Sequence, residues 1–228
     1  MDILQLKLFT SNLNAQRQFY SETIGLTLTS TSETHFSLSI GLTTLTFEEN
    51  TNSTPYHFAI NIPSNKLNEA LNWLKKRINV LSYEGVEIHR FEDWNANAIY
   101  FYDADKNIVE FIGRHNLKDE SADAFSPSLL RRVSEIGVAV DDLKVIYETI
   151  KQNLDLPIYD GSLERFCAIG DENGLFICLN KTVKKTWFPT QDIPRASDFK
   201  ISVRHSNKSC TFAFENATIR AIKSLPDT

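Results

Sequence analysis

A chain of 228 residues with 42% hydrophobic content is long enough to bury one large core or two smaller ones. Charged residues make up 23% of it and the net charge is −5, which implies no basic face and argues against nucleic acid or an anionic membrane as main partner. The longest apolar runs are of strand length, well short of the roughly 20 residues that a membrane-spanning helix needs.

The opening MDILQLKLFTSN starts directly on alternating strand sequence, with no basic region or small-residue cleavage pattern. That predicts a chain without a secretory leader. The cysteines, Cys167, Cys178 and Cys210, are odd in number and form no CxxC, so neither a disulfide framework nor a cysteine zinc site is expected. A reducing cytoplasm is the compartment that fits.

Taken in order, the first segment alternates from Gln5, turns at Ser11-Asn12 and continues as a helix carrying Leu13, Arg17, Phe19 and Tyr20. Three short alternating strands follow: LTLTST, THFSLSIG and LTTLTFEE. The same order returns at His57. A strand from His57 to Ile62 ends at Pro63, and a helix is predicted from about Asn65 to Arg77, with Leu67, Ala70, Leu71 and Leu74 on one face. GVEIHRFED then leads to NAIYFYDADKNIVEFIGRH, a hairpin with its turn over Asp103 to Asn107.

A charged, Pro-containing segment over 118–132 reads as a linker. A third copy runs from VSEIGVAV, through a helix with Leu143, Ile146, Tyr147 and Ile150, to CAIGDENGLFICLNKT. Asp141-Asp142 is placed to cap that helix. Irregular sequence around WFPTQDIPRAS precedes two further expected strands, DFKISVRHSN and SCTFAFENATIRAI, predicted to complete or extend the third unit's sheet.

Superposing the three units puts Gln5, His57 and Glu135 at one first-strand position and Thr46, Glu110 and Cys178 at one last-strand position. A unit written three times in the same order is a strong sign of internal repetition.

A tandem βαβββ unit, with FYSETIGL ending the first helix and IYFYDADKNIVEFI closing the second unit, resembles the vicinal oxygen chelate superfamily. That group includes glyoxalase I, bleomycin-binding proteins and extradiol dioxygenases. The resemblance implies an α+β fold in which paired units form a curved mixed sheet around a cleft, with one divalent metal held by the first and last strands of each unit.

On that pattern residues 1–117 form the cleft from units 1–52 and 53–117, and 133–228 hold a third related module. His57, Glu110 and Gln5 are the implied ligands of a divalent ion (Zn, Fe, Mn, Co or Ni). The fourth position falls on Thr46, and Glu48, two residues on, is the candidate base or substitute ligand.

Trp94, Asn95, Tyr102 and His115 are candidate substrate-binding groups. Glu135 with Cys178 makes no hard-metal pair, so the third unit is expected to be structural, a cleft wall or a dimer surface. The implied function is a metal-dependent lyase, isomerase or oxygenase acting on a small substrate with vicinal oxygens. The alternative is a metal-free protein that binds or sequesters a small molecule.

Overall fold

The computed structural model describes residues 1–225. The first unit comprises β1 (Asp2–Thr10), α1 (Leu13–Gln18), β2 (Leu28–Thr31), β3 (His35–Ile40) and β4 (Thr43–Glu49). The second comprises β5 (His57–Asn61), α2 (Leu67–Lys75), β6 (Val80–Leu81), β7 (His89–Phe91), β8 (Ala96–Tyr102) and β9 (Ile108–Arg114). The third comprises β10 (Arg132–Val140), α3 (Leu143–Asn153), β11 (Ile158–Ser162), β12 (Phe166–Asp171) and β13 (Gly174–Asn180).

Local chemistry sets these boundaries. Asn12 accepts from the Ala15 amide at the start of α1, and Asp142 accepts from the Lys144 amide at the start of α3, each satisfying an otherwise unpaired helix N–H. The helix of α2 buries Leu67, Ala70 and Leu74, as the spacing predicts. The Asp103 carboxylate accepts the Asp105 and Asn107 amides in the β8–β9 turn, and its other oxygen holds Gln16 and Tyr20 of the first unit's helical segment.

After the third unit come β14 (Phe199–His205), β15 (Lys208–Glu215) and β16 (Thr218–Leu225), three strands where two were expected. Asn216 and Ala217 both take positive φ, of 52° and 59°, which is the two-residue hairpin turn that splits the last predicted strand in two.

The strands form two sheets, and their pairing differs from the expected one. In one sheet the order is β16-β15-β14-β1-β4-β3-β2, so the C-terminal strands extend the first unit through an antiparallel β1–β14 contact. In the other the order is β11-β12-β13-β10-β5-β9-β8-β6, with β7 on β8, so the second unit joins the third through antiparallel β10 and β5. The cleft-forming pair is therefore units two and three.

Strand burial gives the physical reason. β1 and β4 alternate between buried and partly exposed positions, as strands open to solvent on one face do. β5 and β9 are buried at every position, and β10 and β13 at nearly every one, as strands covered on both faces are. One face of each sheet, with the helices, feeds a common core that includes Leu8, Phe47, Phe58, Phe111, Phe176 and Phe212. The opposite face of the second sheet carries a separate apolar layer of small and aromatic residues, among them Ala59, Ala98, Tyr100, Ala139, Ile177 and Trp187.

Candidate metal centre

That second layer lines a cavity of about 590 Å³. Its floor is set by alternation along four strands. His57 and Ala59 on β5, Glu110 and Ile112 on β9, Glu135 and Gly137 on β10, and Ile177 on β13 face it, while Phe58, Val109, Ile136 and Cys178 turn to the common core. The small residues keep the floor open. A Cβ on Gly137 would stand 2.9 Å from the Trp187 ring.

Three ligand-type side chains converge on this floor. His57 is 6% exposed, and Glu110 and Glu135 are each 3% exposed. His57 Nε2 lies 3.6 Å from Glu110 Oε2 and 3.8 Å from Glu135 Oε2, and one ligand atom from each residue falls within 4.8 Å of the other two. The Ile108 carbonyl, 3.2 Å from Nδ1, can only accept, so Nδ1 carries a proton there and Nε2 is the ring nitrogen that faces the carboxylates.

Those separations are too long for hydrogen bonds. Nitrogen and oxygen ligands about 2.0–2.2 Å from a shared ion stand roughly 3–3.5 Å apart, so the group is close to a ready-made cage. One imidazole and two carboxylates are a donor set suited to a divalent first-row ion, and the residues present fit such an ion.

The surroundings tune the carboxylates. Burial, and then the neighbouring Glu135, pushes the Glu110 carboxyl well above the usual range, while Arg114 and a Tyr100 hydrogen bond pull the other way. Burial also raises the Tyr100 phenol well above its ordinary value, reinforced by the charges of Glu110 and Glu135, so it stays a donor. Arg114, 1% exposed, pairs through Nη2 with Glu135 Oε1, and its guanidinium carbon sits 5.3 Å from the centre of the Trp94 ring.

The aromatic residues of the walls are Phe91, Tyr100 and Phe166 from the sheet, Trp94 from the turn between β7 and β8, and Trp187 and Phe188 from the segment between β13 and β14. Trp187 lies 5.1 Å from the His57 ring, and Phe188 packs edge-on to His89 at 4.9 Å.

The remaining sequence-derived candidates scatter. Gln5 sits on β1 in the other sheet, exposed and paired with Thr44 and Ser202, because the first unit pairs with β14 rather than with β5. Glu48 lies on β4 of that sheet and is ion-paired with Lys7 at 2.6 Å, so it is neither ligand nor base for this floor. Thr46 hydrogen-bonds Ser37 there. Trp94 does line the cavity, and its indole N–H donates to Asp160 at 2.7 Å.

Asn95 and His115 line a smaller pocket beside the cavity, bonded to Asn116 and Asn97 respectively. The Tyr102 hydroxyl donates to Asp192 at 2.5 Å and so ties the covering segment to β8.

Sequence reasoning passed over Arg114, Trp187 and Phe188 as residues of this cavity and set Glu135 aside as a ligand. The signal that could have found Glu135 is register. Ala59, two residues past His57, pairs with Glu110, and Gly137, two past Glu135, pairs with Ile177. The true counterpart of Glu110 is therefore Ile177, and Cys178 faces the core. A one-residue slip flips a strand's faces, and it made Glu135 look unpartnered.

No family profile matches the sequence, and no curated protein matches it. Among solved structures, a protein of Bacillus subtilis subsp. subtilis str. 168, provisionally named a dioxygenase, superposes with a TM-score of 0.63 at 11% identity, over 97% of this chain and 84% of that one. Two single-substitution variants of glyoxalase I from Zea mays superpose with TM-scores of 0.52 and 0.53 at 15% and 13% identity, each over 78% of this chain and 66% of theirs. The chain has the vicinal oxygen chelate fold.

Within the vicinal oxygen chelate fold the converging residues occupy first-strand and last-strand positions of neighbouring units: His57 and Glu110 in the second, Glu135 in the third. Ile177 stands at the fourth such position, so the floor carries three ligand-type side chains and is open towards the cavity.

Proposed function

We propose that this chain is a divalent-metal-dependent enzyme of the glyoxalase and dioxygenase type, acting on a small substrate with vicinal oxygens. His57, Glu110 and Glu135 would hold the ion. The convergence of their three ligand atoms beneath a cavity of about 590 Å³ carries the reading, a size typical of small-molecule sites. When bound, a divalent ion there supplies Lewis-acid polarisation of substrate oxygens.

The chain's own groups do the rest. The Ile108 carbonyl fixes the His57 tautomer, the Tyr100 phenol orients Glu110, and Arg114 orients Glu135. The aromatic walls and the Trp187–Phe188 cover exclude water, which strengthens every electrostatic contact inside. Arg90, Arg165 and Lys184 line the cavity with Glu92, Asp93 and Asp160, so it carries polar contacts of both signs.

The second reading, a metal-free binding protein, draws on the aromatic residues of the walls and on Arg114, which already neutralises one carboxylate. Elemental analysis after supplementation with first-row metals separates the two. About one ion per chain is expected, lost in H57A and in E135Q. A wild-type protein that takes up no ion from excess metal would overturn the enzyme reading.

A further inference from the structure

The two oxygens of Glu135 face different partners. Oε2 points to His57 Nε2 at 3.8 Å, and Oε1 is taken by Arg114 Nη2. Arg114 is a fully buried arginine on the same face of β9 as Glu110, and its Nε and Nη1 groups have no hydrogen-bond partner among the described residues. Its positive charge is therefore met by one buried carboxylate oxygen and by the Trp94 ring. The nearby Glu172 is half-buried and already bonded to Tyr159 and Asn116.

Charge at this depth is weakly screened and has to balance locally. The Glu110 and Glu135 carboxylates together cancel a divalent ion, and ligating His57 is neutral. What remains at the floor is the Arg114 guanidinium, since Arg90, Arg165 and Lys184 on the walls are matched in number by Glu92, Asp93 and Asp160.

We propose that Arg114 is a positioning residue of this floor: it restricts Glu135 to one free oxygen and leaves the metal-loaded site with one net positive charge, so that the cleft selects a substrate binding through a monoanionic oxygen group. The inference rests on the metal-site reading above and adds the charge of the substrate. Arginine suits the role because its planar guanidinium keeps its charge when buried and lies over the Trp94 ring while one N–H holds Glu135 Oε1, whereas lysine supplies the charge without that plane.

The test uses the full chain loaded with Co(II), whose visible d–d absorption reports the ion's surroundings, titrated with acetate as the monoanionic oxygen probe and acetamide as the neutral one. Wild type is expected to bind acetate and not acetamide. R114Q, which removes the charge, should bind acetate at least tenfold more weakly. R114K, which keeps it, should stay within about threefold of wild type while its d–d bands shift as Glu135 gains freedom.

A cobalt-loaded R114Q that binds acetate like wild type overturns the proposal. Should R114Q fail to fold or take up cobalt, R114K decides: acetate affinity within threefold supports the proposal, and a tenfold loss on a fully loaded site overturns it. A wild type that takes up no cobalt defeats the metal reading itself, a result distinct from the others.

Discussion

Glu110 combines full burial, a like charge at Glu135 and a cation at Arg114, and burial dominates, so its carboxyl sits well above the ordinary carboxylate range. An acid raised on folding adds stability that is complete below its unfolded value and is lost as pH rises towards its folded value. Metal-stripped protein should accordingly lose thermal stability as pH climbs from about 4.5 through that range. E110Q should flatten the profile and raise the apo melting temperature at neutral pH by a few degrees, as thermal melts across pH would show.

The same proton must leave before an ion binds. Apparent metal affinity should thus rise about tenfold per pH unit below the folded value of Glu110, measured by competition with a chelator, and a pH-independent affinity would contradict the assignment. His57 and Glu110 were legible as candidates from repeat position read together with the family resemblance. Glu135 stood at the matching place, yet its importance depended on which residue of FICL faced inward, and composition does not record strand register.

At the scale of the element, β10 is the strand that makes the cleft. It carries Glu135, joins the second unit to the third, and at Gly137 lets the Trp187 ring lie against the sheet beside His57. G137A should push that ring away and open the floor to water. We expect a red shift of tryptophan emission, weaker metal retention and a stability loss of about 1–3 kcal/mol from overpacking. Unchanged emission together with unchanged metal retention would show that Trp187 does not depend on this glycine.

The helices and the hairpin at Asp103 to Asn107 were readable because capping and turn residues act locally. The splitting of the final strand by Asn216 and Ala217 was not, since Asn216 is followed by alanine and not by the glycine that usually completes such a turn.

For the whole molecule, three repeats in order were evident in the sequence, whereas their partnership was not. Pairing of β5 with β10 and of β1 with β14 is a long-range choice among similar edges. A clue lay in the strand faces: QLKLFT and TTLTFEE alternate, while IVEFIG and GLFICL are apolar on both sides and so belong under a covered cleft. The two sheets share one core, where Phe176 of β13 meets Phe212 of β15 edge-on at 6.1 Å.

F212A lies in the sheet that lacks the site, yet it should cost about 3–5 kcal/mol. Tryptophan fluorescence reports Trp73, Trp94 and Trp187, which flank or line the cleft-bearing sheet, and circular dichroism reports both sheets. The two signals should shift down together on heating. A fluorescence transition that stays at its wild-type temperature would mean that the halves unfold independently.

The segment that brings Trp187 and Phe188 over the cleft is also the covalent link from β13 in one sheet to β14 in the other. A cover fastened at both ends, and latched midway by Tyr102 to Asp192, behaves as a strap of limited slack rather than as a hinged flap. A guest of the proposed site would therefore be sorted by girth as well as by charge: one too bulky for the cavity has to lengthen the strap by pulling on β14, and β14 is paired along nearly its whole length with β1.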